Sequence, residues 1–140
     1  MKNHTDLEED NRLLLDYSKL QQIAAQDLAV VPVAVQHADS GQMLLIAYVN
    51  REALEASLQR RIAVFWSTSR NALWVKGDTS GDYLDLVDAF VNCEQNSLLF
   101  LVRPRQGGVC HTRDATGATR RSCYYRRLKS PSELEAAYPP

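Results

Sequence analysis

The chain has 140 residues, of which 45% are hydrophobic and 24% are charged, so one domain can bury a core without disulfide or metal staples. Its formal net charge of -1 excludes the strongly basic surface that is typical of nucleic-acid-binding domains. No apolar run approaches the roughly 20 residues that cross a bilayer, so we expect no membrane partner.

The first part of the chain predicts a helix that packs but performs no chemistry. Residues 1–9 are polar, and we expect them to be frayed. Apolar residues then recur at helical spacing, at Leu13, Tyr17, Leu20, Ala24 and Leu28. We therefore interpret residues 1–29 as an N-terminal helical extension.

A hairpin and a capped helix are predicted next. Strands at residues 30–36 and 42–48 enclose Asp39-Ser40-Gly41, whose residue types favour a turn. Asn50 has the side chain of a helix N-cap, and the helix after it is expected to end near Leu58.

Strands dominate the rest of the predicted structure. They are expected at residues 62–68, 73–76, 83–92, 97–102 and 122–128. A helical or loose tail should follow from Pro131. The fold class is therefore predicted as α+β, a single domain at residues 30–128 with a dominant antiparallel or mixed sheet and a tail at 129–140.

The three cysteines fall in two short polar stretches. Cys93 lies in an Asn-Cys-Glu-Gln-Asn run, while Cys110 precedes a histidine and Cys123 follows a serine. Three thiolates without a fourth ligand would describe zinc with an open position, where a bound water becomes a nucleophile near neutral pH. Free buried thiols are the alternative, since no C-x-x-C pair is present. The odd count and the lack of a signal peptide favour a reducing, cytoplasmic location over a disulfide.

Four further segments carry a recognisable pattern together with these cysteine stretches. They are VQHADSG at residues 35–41, LLIAYVNREAL at 44–54, FWSTSR at 65–70 and LWVKGDTSG at 73–81. In this order the blocks resemble the phosphoribosyl-AMP cyclohydrolase family of histidine biosynthesis. The resemblance runs from about Val31 to about Leu128, which is most of the chain.

The resemblance implies an activity and a set of site residues. The family hydrolyses the N1–C6 bond in the adenine ring of phosphoribosyl-AMP. It implies that Cys93, Cys110 and Cys123 bind zinc, that magnesium is a second metal, and that two chains share the active site in a homodimer. His111, beside a proposed ligand, is implied as the catalytic group that moves protons. Without the resemblance, a lone histidine there would more often be structural.

Substrate binding is expected at the loop in the fourth block. Such a loop can offer backbone N–H groups, hydroxyls and an ammonium to a phosphate, although taken alone it is typical of a hairpin. The family block favours substrate binding by Lys76, Gly77, Asp78, Thr79, Ser80 and Gly81, together with Arg70. Two aromatic residues could flank the base or belong to the core, namely Trp66 and Trp74.

The expected magnesium site departs from the family pattern. Where the family has three aspartates, this chain has Asn92, Glu94 and Asn96, so the formal charge falls from -3 to -1. That change should weaken binding of a hard cation. If the strand stays extended, these three side chains lie on the face opposite to Cys93. The alternative is that the asparagines only form a turn.

The spacing of the last two cysteines also departs from the pattern. Twelve residues separate Cys110 from Cys123, whereas the family usually has six. A longer loop costs only about 0.6 kcal/mol of closure entropy per doubling. Zinc ligation is expected to survive, and the loop at residues 113–121 is expected to change substrate access.

Three functions remain open on the sequence. The first is phosphoribosyl-AMP hydrolysis with an altered second metal site. A paralogous zinc hydrolase that acts on another purine-like nucleotide or heterocycle is the second, and a non-catalytic zinc-binding dimer is the third. Because the chain ends soon after the cyclohydrolase-like region, we expect no fused pyrophosphohydrolase.

Overall fold

The computed structural model describes residues 4–137, apart from the side chain of His4. Three helices occur in this part of the chain: α1 His4–Glu8, α2 Lys19–Ala25 and α3 Arg51–Arg60. Its strands are β1 Val31–His37, β2 Met43–Val49, β3 Val64–Ser67, β4 Ala72–Val75, β5 Leu84–Val91, β6 Leu98–Pro104, β7 Arg126–Leu128 and β8 Leu134–Ala136.

A four-stranded mixed sheet forms the centre of the domain. Its strand order is β2-β1-β6-β5, so β2 and β5 are the outer strands. β1 pairs antiparallel with β2 and parallel with β6, and β6 pairs antiparallel with β5. Two small antiparallel sheets, β3-β4 and β7-β8, complete the structure. This arrangement confirms the predicted α+β class and the mixed sheet.

The core lies on one face of the central sheet. Val33 and Val35 on β1 are fully buried, as alternate residues of a strand that share a face should be. Phe100 on β6 is also fully buried, and its ring stacks on that of Phe65 in β3 at a centroid distance of 6.3 Å. Burying a side chain of this size stabilises the fold by about 1.5–3 kcal/mol. These contacts attach the β3-β4 hairpin to the central sheet.

The predicted hairpin and capped helix are both confirmed. The β1-β2 hairpin turns through Gly41, whose φ of 75° suits glycine. The Asn50 side chain accepts a hydrogen bond from the backbone N–H of Ala53 at 2.9 Å. Buried Ser57 then accepts a hydrogen bond from the N–H of Val64 at 2.9 Å, which fixes α3 to the start of β3.

The N-terminal predictions were largely wrong. The helix expected over residues 13–28 is only α2, and it buries Ile23 alone. Tyr17 and Leu20 remain 85% and 69% exposed, because no described element packs against that stripe. The expected frayed start instead contains α1. A five-residue helix is unstable by itself, so contacts with distant residues must hold it.

The C-terminal part also differs from the prediction. Only Arg126–Leu128 of the strand expected over residues 122–128 forms a strand, because the backbone N–H of Cys123 instead donates to Leu44 at the edge of β2. The tail after Pro131 is neither helical nor loose. It contains β8, which pairs antiparallel with β7. No helix within residues 4–137 is long and apolar enough to span a membrane.

Candidate active site

Two of the three cysteines meet beside the start of β2. Cys110 and Cys123 lie close together, although twelve residues separate them in the chain, and each thiol shifts the pKa of the other. The Cys123 backbone donates to the Leu44 carbonyl at 2.8 Å. Cys110 is buried, and its sulfur lies 3.0 Å from the hydroxyl of Thr112. The sequence did not single out Thr112, whose role depends on this contact.

The paired thiols have opposite proton affinities. The hydrogen bond from Cys123, assisted by Thr112 and opposed by burial, lowers the pKa of Cys110 to about 5. The pKa of Cys123 is raised, chiefly by the same hydrogen bond and then by desolvation. Cys110 is therefore the thiol of the pair that loses its proton more readily. A thiolate is the form of cysteine that binds a metal.

Lys76 is close enough to both thiols to interact with their charges. It is buried, with 6% of its surface exposed. Its Nζ donates to the carbonyl of Asp82 at 3.3 Å. Burial lowers the pKa of Lys76, while the charges of Asp82, Cys123 and Cys110 oppose that shift. Its ammonium is thus placed to balance the negative charge of a thiolate. It is not exposed on the loop at residues 76–81, where it was expected to bind a phosphate.

The long segment between the cysteines folds into a hairpin of its own. Asp114 Oδ1 accepts hydrogen bonds from the N–H groups of Thr116 and Ala118, at 2.9 and 3.1 Å. Arg113 and Thr119 form the β-bridge that closes the hairpin. The extra length is therefore absorbed locally, which explains how Cys110 and Cys123 can still meet.

Below the hairpin, the two sides of the segment are joined by backbone hydrogen bonds. The Arg120 carbonyl accepts from the N–H groups of Val109 and Cys110, both at 3.0 Å. The Arg120 N–H in turn donates to the Thr112 carbonyl at 3.1 Å. Arg120 consequently supports the backbone that presents Cys110.

His111 lies next to the thiol pair, and its side chain is 80% exposed. Its Nε2 contacts the carboxylate of Glu8 at the end of α1. Adjacent Glu9 forms a two-pronged ion pair with Arg120, at 3.0 and 3.1 Å. Neither glutamate could be predicted from the sequence as part of the site, because an acidic run near the start of a chain carries no local signal of a distant partner.

Cys93 lies far from the other two cysteines in the same chain. It follows β5, whereas Cys123 is bonded to β2, and these are the two outer strands of the sheet. Three inter-strand spacings of about 4.8 Å separate them, roughly 14 Å. Accordingly, no three His, Cys, Asp or Glu residues within the described range come together as a metal-binding group.

The expected magnesium ligands form a turn after β5. β5 ends at Val91, so the extended geometry assumed for residues 92–96 does not occur. Asn92 Oδ1 accepts from the N–H groups of Asn96 and Ser97, at 2.9 and 3.0 Å, and Asn92 Nδ2 donates to Asn96 Oδ1 at 2.6 Å. Both amide oxygens thus have protein donors, and Glu94 is the one carboxylate of the set. These residues fit a magnesium site poorly, and that assignment stays a prediction.

The expected phosphate-binding loop is a tight turn between β4 and β5. Gly81 donates its N–H to the carbonyl of Gly77 at 2.7 Å. Gly77 has a φ of 104°, and a Cβ there would lie 2.4 Å from the backbone N of Tyr83, so only glycine fits. The Asp78 carboxylate accepts from the Tyr83 hydroxyl at 3.0 Å, while Thr79 and Ser80 are exposed.

The two tryptophans lie on opposite faces of the β3-β4 hairpin. Trp74 is paired with Phe65, and Trp66 is paired with Leu73 one position along. Directly paired residues share a face and neighbours alternate, so the two indoles cannot enclose one base within a single chain. Both are partly buried against the core. Arg70, in the turn of this hairpin, is exposed and its Nε donates to the Ser67 hydroxyl at 3.4 Å.

A shallow cavity of about 290 Å³ lies between Asp82, which follows the loop at residues 76–81, and the hairpin of residues 113–119. Its lining residues are Asp82, Gln106, Gly107, Gly108, Ala118, Thr119 and Arg121. A larger cavity of about 760 Å³ lies among N-terminal residues and contains none of the predicted site residues. The hairpin of residues 113–119 contributes Ala118 and Thr119 to the wall of the smaller cavity.

Comparison with known proteins agrees with the pattern of blocks. The sequence profile described as phosphoribosyl-AMP cyclohydrolase matches residues 45–125, which include all three cysteines. The chain belongs to the phosphoribosyl-AMP cyclohydrolase family. Members of this family are hydrolases that act on a cyclic amidine.

Individual relatives support the same assignment over most of the chain. A phosphoribosyl-AMP cyclohydrolase of Caulobacter vibrioides is 46% identical over 114 residues, covering 81% of this chain and 77% of the relative. One from Chlorobium phaeovibrioides is 34% identical, covering 86% and 83% of the two chains. A histidine biosynthesis bifunctional protein of Thermus thermophilus is 40% identical, covering 78% of this chain and 48% of its own length.

The matched profile begins in β2 and ends at Tyr125. The glutamates on His111 and Arg120 therefore lie outside the part of the chain that the profile describes. The profile covers the three cysteines, His111 and the loop at residues 76–81.

Proposed function

We propose that this protein hydrolyses the N1–C6 bond in the adenine ring of phosphoribosyl-AMP, a step of histidine biosynthesis, in the cytoplasm. The observation that carries the proposal is the thiol pair of Cys110 and Cys123, with His111 directly beside it. The names of the relatives support the substrate, since those with 46% and 34% identity are phosphoribosyl-AMP cyclohydrolases.

The proposal includes zinc held by Cys93, Cys110 and Cys123. The low pKa of Cys110, about 5, and the buried ammonium of Lys76 suit a site that binds a cation through thiolates. When bound, zinc supplies a water activated for nucleophilic attack near neutral pH. Because Cys93 lies at the opposite edge of the sheet, we propose that it comes from a second copy of the chain in a homodimer.

The remaining residues have roles in binding and proton transfer. The exposed hydroxyls of Thr79 and Ser80, with Arg70, are proposed to bind a substrate phosphate. Lys76 is buried, so its role is to balance thiolate charge. His111 is exposed beside the site and is proposed to take a proton from the attacking water or to return one to a ring nitrogen.

The test is turnover of phosphoribosyl-AMP by the purified protein, followed by the absorbance change of ring opening. Zinc removal with a chelator should abolish turnover, and added zinc should restore it. The same assay with and without magnesium tests whether Asn92, Glu94 and Asn96 hold a second cation. Failure of the zinc-loaded protein to open the ring would refute the proposed substrate.

A second candidate function is hydrolysis of a related purine-like nucleotide. The observation that favours it is the inserted hairpin, which contributes Ala118 and Thr119 to the wall of the 290 Å³ cavity. A changed wall near the site can change which heterocycle fits. Zinc-dependent hydrolysis of other N1-substituted purine nucleotides, without ring opening of phosphoribosyl-AMP, would support this function. Stoichiometric zinc with no hydrolysis of either class would instead identify a non-catalytic zinc protein.

A further inference from the structure

The N-terminal segment, defined here as residues 7–13, is docked on the candidate site by hydrogen bonds to its backbone. The Tyr125 hydroxyl donates to the Glu8 carbonyl at 2.7 Å. Arg126 donates through its two terminal nitrogens to the carbonyls of Leu7 and Asp10, at 2.6 and 2.9 Å. These donors cap the end of α1, where helix carbonyls lack partners within the helix.

The far end of the N-terminal segment is held by the C-terminal tail. The Leu134 N–H donates to the Asn11 carbonyl at 2.6 Å, and the Leu13 N–H donates to the Ser132 carbonyl at 2.9 Å. Residues near the two ends of the chain therefore hold each other in place. The segment has a defined position relative to Cys123 and its neighbours.

Two carboxylates project from this fixed segment onto the site. Glu8 contacts His111 Nε2, and the Glu8 side chain is only 24% exposed while the imidazole is 80% exposed. Glu9 holds Arg120, whose guanidinium also lies over the Tyr125 ring at 4.0 Å. Glu8 is thus the more buried partner of its pair, and the exposed imidazole of His111 is the group that needs to be oriented.

We propose that Glu8 is a positioning residue, which orients the His111 imidazole and fixes its tautomer for the reaction. This inference rests on the proposed function, in which His111 transfers a proton. A carboxylate accepts a hydrogen bond from a ring N–H, so this contact favours the neutral tautomer with its hydrogen on Nε2 and an accepting Nδ1. The nitrogen that exchanges a proton with water or substrate is then Nδ1. Carboxylates orient catalytic histidines in the same way in hydrolases of unrelated folds.

Glu9 supports the backbone around the thiols through its ion pair with Arg120. Its ion pair fixes Arg120, and the Arg120 carbonyl accepts from the N–H groups of Val109 and Cys110. His111 follows Cys110 directly, so the N-terminal segment holds both the imidazole and the main chain that carries it. A consequence is that Arg120 is engaged by the protein and is not assigned to substrate phosphate.

The same contacts could instead obstruct the site, if the acidic segment occupied positions that an anionic substrate needs. The two possibilities predict opposite kinetics. An orienting Glu8 raises kcat, because it acts on proton transfer, and has little effect on KM. An obstructing Glu8 raises KM, because substrate must displace it, so its removal would increase kcat/KM.

The experiment compares zinc-loaded wild-type protein with the variants Glu8→Ala, Glu8→Gln and His111→Ala. Correctly placed general acid–base groups contribute roughly 10²–10⁴-fold, so loss of orientation in Glu8→Ala should lower kcat by about tenfold with KM nearly unchanged. Glu8→Gln keeps an acceptor oxygen and should recover part of that loss. Glu55→Ala is the matched control, since Glu55 forms a surface ion pair with Arg51 on α3 and should leave kcat unchanged.

A double variant decides whether Glu8 acts through His111. In the His111→Ala background, adding Glu8→Ala should change kcat no further, whereas independent effects would multiply. The imidazole ¹⁵N shifts give a readout without turnover: the wild-type protein should show Nε2 protonated, and Glu8→Ala should lose that preference. Wild-type kcat in Glu8→Ala, an increased kcat/KM, or unchanged ¹⁵N shifts would each overturn the proposal.

Failure of the proposed function gives a different pattern. If wild-type protein does not open phosphoribosyl-AMP, or if His111→Ala keeps full kcat, the proposed substrate or the role of His111 is wrong. The ¹⁵N shifts of wild-type and Glu8→Ala protein would still decide whether Glu8 orients the ring.

Discussion

Deletion of residues 113–118 would restore six residues between Cys110 and Cys123, and the structure predicts little effect on stability. The hydrogen bonds of the deleted segment join residues within that segment. In several of them the Asp114 carboxylate accepts from Thr116 and Ala118. Removing both the donor and the acceptor of such a bond is nearly neutral, because no polar group is left without a partner. Halving the loop should gain about 0.6 kcal/mol of closure entropy. The net change in the free energy of unfolding should therefore stay within about 1 kcal/mol.

The hydrogen bonds below the hairpin should survive the deletion. The residues that make them are Val109, Cys110, Thr112 and Arg120, all of which remain. Zinc content per chain should equal that of the wild-type protein, while the KM for phosphoribosyl-AMP should change, since the hairpin walls the nearby cavity. Urea unfolding, zinc analysis and steady-state kinetics measure the three quantities. A variant with residues 113–118 replaced by six glycine and serine residues separates loop length from loop sequence.

Loss of zinc from the deletion variant, or a fall of more than about 3 kcal/mol in its free energy of unfolding, would contradict this prediction. Either result would mean that the hairpin supports the thiol pair and is not an independent addition. Normal zinc content with an unchanged KM would show that the hairpin does not limit substrate access.

Three further predictions concern the metals and the core. Cys93→Ser should lower zinc content and weaken the dimer together, as measured by metal analysis and gel filtration, and full zinc occupancy would contradict the ligand assignment. Changing Asn92 and Asn96 to aspartate should strengthen magnesium binding in calorimetry, because two charged oxygens replace amides; equal affinity in both proteins would show that these side chains do not face the ion. Ser57→Ala should destabilise the fold by about 1–3 kcal/mol in urea unfolding, because the buried N–H of Val64 loses its acceptor. A cost below about 0.5 kcal/mol would mean that water reaches that N–H.

Short-range patterns were sufficient for the elements whose signals lie within a few residues. The Asp39-Ser40-Gly41 turn and the Asn50 cap both formed as expected, because each depends on hydrogen bonds and φ angles of neighbouring residues. The family blocks likewise predicted the cysteines and His111 as site residues. They could not show that Cys93 is separated from the other two within one chain.

The errors occurred where tertiary contacts outweigh local propensity. Apolar residues at helical spacing predicted a long helix before β1, yet Tyr17 and Leu20 found no partner and the helix shortened. α1 formed from a polar segment because Arg126 and Tyr125 supplied its hydrogen bonds. The turn at residues 92–97 likewise replaced an expected strand end, since Asn92 could bond to the backbone of the following residues.

The order of residues was enough to predict the family, the α+β class and the residue types that can bind a metal, because these depend on composition, spacing and local order. Only the folded chain shows that Cys110 and Cys123 lie together, that Lys76 is buried near them, and that Glu8 reaches His111. Glu8 and His111 are 103 residues apart in the chain. No local rule connects residues at that separation, and the sheet order and the docked chain ends bring them into contact.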